Sequence, residues 1–151
     1  SDEGPIHQSS MQEPVFTELT SEILHRLDPA DILYAEVTPP GAMGNRGGVM
    51  LYAYRDGELH CYETNYYRQE ALFLEAERLL LRHDGTPGKD SGPAVFEVLY
   101  GGMGNLAFVN RQAKLEVGAD HLVYRVDGRA YMFHCSLQGV FLSIADRIRR
   151  R

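Results

Sequence analysis

Apolar positions along this chain follow two rhythms, and the switches between them mark out the elements. Phe16, Leu19, Ile23, Leu24 and Leu27 recur at helical spacing, which predicts an amphipathic helix stopping near Asp28-Pro29. Pro29 disfavours helical geometry in the residue before it. Residues 32–38 read as a strand ended by Pro39-Pro40-Gly41, and residues 49–54 and 59–63 as a hairpin around Asp56-Gly57. That dipeptide suits the two positive-φ positions of a type I′ turn. Thr64 or Asn65 is placed to cap a following helix that carries Leu72, Phe73, Ala76, Leu79 and Leu80 on one side. After a Gly- and Pro-rich stretch, residues 95–100 form another strand, and Asp127-Gly128 joins 122–126 to 129–133. Residues 114–117 offer one more short strand. The cleanest periodicity comes last: Leu137, Val140, Phe141, Ile144 and Ile148 predict a helix with Ser136 as its cap.

These elements repeat. Gly41-Ala42-Met43-Gly44-Asn45 returns sixty residues later as Gly101-Gly102-Met103-Gly104-Asn105, each copy after an apolar strand that carries Glu36 or Glu97. An Asp-Gly hairpin and a helix follow in both cases. The expected fold is α+β: an N-terminal helix, then two β-β-β-α repeats packed about a pseudo-twofold axis, with a mostly antiparallel sheet. Residues 1–13 read as a flexible lead and 14–151 as a single domain. Its repeats span about 30–84 and 94–151, joined by the linker 84–93. In this scheme the glycine loops are tight turns anchored by a buried Met.

Composition narrows the class without naming a reaction. At 151 residues, 44% hydrophobic and 24% charged, the chain has the make-up of an ordinary globular domain. Its apolar runs fall short of the roughly 20 residues a membrane span needs. Ser1-Asp2-Glu3-Gly4 has neither the basic nor the apolar region of a signal peptide, so a cytoplasmic, bacterial setting is expected, with no membrane partner. A net charge of −6 argues against nucleic acid as a partner. The run Arg147, Arg149, Arg150, Arg151 complements a helix C-terminus. Cys61 and Cys135 read as reduced, partly buried thiols, with a bridge between the repeats as the alternative.

Three sets of residues carry candidate chemistry. In the first, hairpin register places His121 opposite His134 and Asp120 opposite Cys135, but no close-spaced His or Cys supplies the further ligands a metal site needs. His60-Cys61 and His134-Cys135 do not form dyads, because neighbours on a strand face opposite ways. In the second, the glycine loops offer backbone amides and a cation to an anion through Gly44, Asn45, Arg46, Gly104 and Asn105. Neither loop has the spacing of a Rossmann or P-loop signature. In the third, nine Tyr and no Trp point to contact surfaces: Tyr52, Tyr54, Tyr66 and Tyr67 with Glu58, Glu63 and Glu70 would form an aromatic, acidic patch.

The resulting expectation is a non-catalytic acidic protein-binding domain, monomeric or homodimeric. It would need no cofactor and no metal, and would act on a basic protein partner through the Tyr/Glu patch. An immunity- or antitoxin-type inhibitor and an adaptor both fit this description. The alternative is a domain, or an enzyme, that binds a small molecule or anion between the repeats at the glycine loops.

Overall fold

One strand organises the structure because it is buried along nearly its whole length. The computed structural model describes residues 11–41, 46–83 and 94–151. In it, β3 (Ile32–Thr38) has six consecutive buried residues, the pattern of a strand covered on both faces. It pairs antiparallel with β4 (Gly48–Arg55) on one side and β7 (Leu106–Asn110) on the other. With β2 (Phe16–Glu18), β5 (Glu58–Asn65) and β6 (Phe96–Tyr100) it makes a six-stranded sheet in the order β2-β5-β4-β3-β7-β6. A second sheet has the order β1-β10-β9-β8, built from β1 (Met11–Gln12), β8 (Leu115–Val117), β9 (His121–Val126) and β10 (Arg129–His134). Most pairings are antiparallel; β1 with β10 and β2 with β5 are parallel.

Strand alternation sorts the apolar residues into two cores, one on each face of the six-stranded sheet. On one face Ala35, Val37, Val49, Leu51, Tyr62 and Phe108 pack against α2 (Glu70–Arg82) through Leu72, Phe73, Ala76 and Leu80. The short α1 (Ser21–Arg26) adds Leu24 to the same core. On the other face Tyr34, Tyr52, Cys61 and Leu99 meet Leu122, Tyr131 and Phe133 of the second sheet, and Val140, Ile144 and Ile148 of α3 (Gln138–Arg149). The interlayer centre is aromatic: Tyr52 stacks on Phe133 at 4.5 Å and meets Phe16 edge-on at 5.5 Å. No helix among the described residues is long and apolar enough to cross a membrane.

The α+β class and the antiparallel bias are as the pattern predicts, but the layout departs from two equal units. After α2 come five strands: the three of the repeat, the further one offered at 114–117, seen as Leu115–Val117, and the unforeseen β7; they divide between the two sheets. The reason is β7, whose apolar run Leu106-Ala107-Phe108-Val109 pairs with β3 and places the second glycine loop inside a β6–β7 hairpin. The N-terminal helix is also shorter than its apolar spacing implies. Phe16–Glu18 is a strand, and Thr20 starts the helix by accepting from the Ile23 amide at 3.2 Å. Residues 11–12 of the expected lead pair with β10, while residues 1–10 and the linker 84–93 lie outside the described residues.

Candidate functional site

Both Asp-Gly turns form as two-residue loops with positive φ: Asp56 at 53° and Gly57 at 76°, Asp127 at 50° and Gly128 at 75°. They meet at one end of the layers, where the Arg129 guanidinium donates to the Gly57 carbonyl at 2.7 Å. The second glycine loop lies at the opposite end, beside the described flank of the first. Val37 pairs with Leu106 there, and a Cβ on Gly104 would come within 3.2 Å of the Pro39 ring. The first loop is described only at its flanks, and Gly44 and Asn45 lie outside the described residues. In the second loop Met103 is 74% exposed at φ 59°, so it anchors nothing in the core, contrary to the buried-Met expectation.

Glu36 is the polar exception in β3, 2% exposed on the face that looks toward the second sheet. A carboxylate buried to that degree needs donors, and it has three. The Tyr34 hydroxyl donates at 2.5 Å, the Ser136 amide donates at 3.0 Å, and the Ser136 hydroxyl donates to the other carboxylate oxygen. Ser136 therefore serves Glu36 and does not cap α3, whose start has no side-chain cap. Glu97 pairs with Arg147 near the other end of α3. Glu36 and Glu97 thus make contacts near both ends of the last helix. Burial, with the Glu36 charge adding, pushes the Tyr34 hydroxyl well above its ordinary value.

A cleft of about 440 Å³ opens beside Glu36 at the glycine-loop end. Its floor is two cross-strand rows on one face of the sheet: Glu36, Met50 and Glu63, then Thr38, Gly48 and Asn65. Ser136 borders it from the second layer, and Arg46 and Arg68 stand at its mouth. Gly48 is required by close approach, since a Cβ there would meet the Thr64 carbonyl at 2.8 Å. Arg68 also pairs with Glu18 at 3.0 Å.

The residues of the Tyr/Glu patch separate. Tyr52 is fully buried between the layers, which removes it from any surface: Tyr52 and Tyr54 do share a face, but that face is covered by the second sheet. Tyr54 is half-buried against Tyr124 and Tyr131, and Glu58 sits at the distant Asp-Gly turn. Tyr66 packs edge-on against Phe73 on the opposite face. Glu63, Tyr67 and Glu70 remain exposed, but only Glu63 lines the cleft, together with Arg46 from the glycine-loop set. Asn105 is half-buried behind the rim, with Gly104 against Pro39.

The other candidates have limited chemistry. His121 and His134 are opposed as register predicts, and Asp120 holds Nδ1 of His121 at 2.9 Å. Among the described residues no three His, Cys, Asp or Glu side chains gather as a metal site requires. Both cysteines are free and buried. Burial pushes the Cys61 thiol up to about 12 and the Cys135 thiol up to about 11, so neither is a thiolate near neutral pH. The cleft is what pattern reading missed, because it needs the β3–β4–β5 register and the approach of Ser136. The signal available in the sequence was an acidic residue inside an otherwise apolar strand.

Compared with protein-family models, curated proteins and solved structures, the chain has no match.

Proposed function

We propose that this chain is a non-catalytic binding domain that receives a charged segment of a protein partner in the cleft beside Glu36 and Glu63. One observation carries the reading: residues from two separate candidate sets, Glu63 and Arg46, line the same polar cleft on a rigid sheet floor. A site whose side chains stand on paired strands is pre-organised, which lowers the cost of binding. The first glycine loop's flank, Arg46 and Gly47, supplies part of the cleft wall beside Thr38 and Gly48. A net charge of −6 and the exposed carboxylate of Glu63 favour a partner presenting basic residues. Protonated thiols, together with a Ser136 hydroxyl committed to Glu36, support a binding role over nucleophilic catalysis.

The test is affinity capture from the native host at low and high salt, comparing the unaltered chain with Glu63→Lys. A basic partner held at low salt, weakened at high salt and lost on charge reversal is the expected result. Equal capture by both forms would remove the cleft as the partner site.

The small-ligand alternative keeps one specific support, the cluster of donor groups at the cleft mouth.

A further inference from the structure

At the mouth of the cleft a second hollow is lined by Arg46, Asn65, Tyr67 and Arg68. Every side chain there offers a donor. Arg46 and Arg68 carry guanidinium groups, which bind carboxylates and phosphates in a fork of parallel hydrogen bonds. Asn65 has its orientation set by the chain: Oδ1 accepts from the Tyr67 amide at 2.8 Å and from the Arg68 amide at 3.4 Å. Its acceptor is therefore consumed, and the NH2 is the group left for a ligand. Tyr67, 65% exposed, adds a hydroxyl and an aromatic wall. The same local turn that precedes α2 thus sets out three of the four groups, and the flank of the first glycine loop supplies the fourth.

We infer that this hollow is an oxyanion subsite that takes a carboxylate of the bound partner or ligand, resting on the binding role proposed for the adjoining cleft. Charge decides between a carboxylate and a phosphate. Glu18 offsets part of the Arg68 charge at 3.0 Å, and Glu63 lines the neighbouring cleft. With two arginines set against these two carboxylates, little net positive charge is left to offset the desolvation of a dianion. That cost rises as the square of the charge, so a singly charged carboxylate fits better. The subsite and the acidic floor together select a segment with both signs of charge: an acidic group at the mouth and a basic one further in.

The experiment is an NMR titration at constant ionic strength and pH 7. It follows the Arg46 and Arg68 Nε–H signals and the Asn65 side-chain amide, with sodium acetate, inorganic phosphate and chloride as separate probes. Acetate is expected to give saturable shifts at millimolar concentration, with phosphate weaker and chloride without saturation. Arg46→Gln and Arg68→Gln are each expected to weaken acetate at least 5-fold. Both arginines are largely exposed, so circular dichroism should match the parent. Glu63→Lys separates this subsite from the basic-partner reading: it should strengthen acetate binding while abolishing partner capture. Shifts that stay linear in acetate, or that persist in both arginine variants, would overturn the subsite. Tighter binding of phosphate than acetate would overturn the carboxylate assignment.

Discussion

At one end of the two layers the Asp56-Gly57 and Asp127-Gly128 turns lie against each other; at the other, the flanks of the two glycine loops do. Each end brings together two similar stretches of sequence, yet the ends behave differently. The Asp-Gly end is tied shut, with Arg129 bonded to the Gly57 carbonyl and the Tyr54 hydroxyl within 3.5 Å of Asp127. At the glycine-loop end the layers part, and the contact between them passes to the Glu36–Ser136 hydrogen bonds at the edge of an open cleft. Polar ties over the Tyr54–Tyr124–Tyr131 cluster close the first end, and apolar packing fills the middle. Directional polar contacts position the second, which is where recognition needs exposed groups on a fixed frame.

The largest effect is expected from removing what both ends share. Tyr52→Ala deletes the ring that stacks on Phe133 and meets Phe16 edge-on, and should cost about 3–5 kcal/mol in urea unfolding, as for other buried aromatic deletions. A loss under about 1 kcal/mol would mean that the layers are not held by this stack. The same packing has a pH signature. A cysteine in the unfolded chain ionises near pH 8.5, while Cys61 and Cys135 keep their protons to about 12 and about 11. Their contribution is fully present below about pH 8.5 and declines as pH rises toward those values. Unfolding free energy should therefore fall across alkaline pH, and a Cys61→Ala, Cys135→Ala double variant should flatten that slope.

Next in size is a substitution that attacks the open end alone. Gly47 has φ 73°, and a Cβ there would stand 2.7 Å from the Pro40 nitrogen and 2.9 Å from the Thr38 carbonyl, both backbone. Gly47→Ala combines left-handed strain with overpacking and should cost about 2–4 kcal/mol. Glu36→Gln follows at about 1.5–3 kcal/mol, because the buried site has donors arranged for a carboxylate. If the two ends are distinct, this variant should expose Ser136 and the start of α3 to hydrogen exchange while the Asp-Gly turns keep their protection. Equal loosening at both ends would erase the distinction.

How much of this was legible in the sequence depends on whether the cause was local. The Asp-Gly turns were, since a two-residue loop with glycine second fixes its own register and, with it, the His121–His134 pairing. β3 was found at its observed bounds for a similar reason: apolar residues between a Pro-containing turn and a Pro-Pro stop leave little else. Tyr52 was misplaced because its strand periodicity is the same whether a face meets solvent or a second sheet. Only the three-dimensional arrangement separates the two. The cleft depends on long-range pairing too, with Glu36 and Ser136 a hundred residues apart, so neither its depth nor its donors had a local signature. Arg46 and Glu63 were named for different reasons, and their common site was hidden until β4 and β5 came into register.

The smallest effect is the sharpest comparison, because it alters the same residue type at the closed end. Gly128 also has positive φ, 75°, but a Cβ added there meets nothing within 4 Å. Gly128→Ala therefore carries the conformational penalty alone, about 1 kcal/mol. The hairpin should survive, since Asp127 already holds a left-handed conformation beside it. Partner capture and the acetate titration should be unchanged, because the turn lies at the opposite end of the layers from the cleft. Gly47→Ala and Gly128→Ala thus share one strain and differ in what surrounds the added methyl. If their unfolding free energies prove equal, the close packing against Pro39 and Pro40 contributes nothing, and the rim of the cleft is not the rigid frame that recognition there requires.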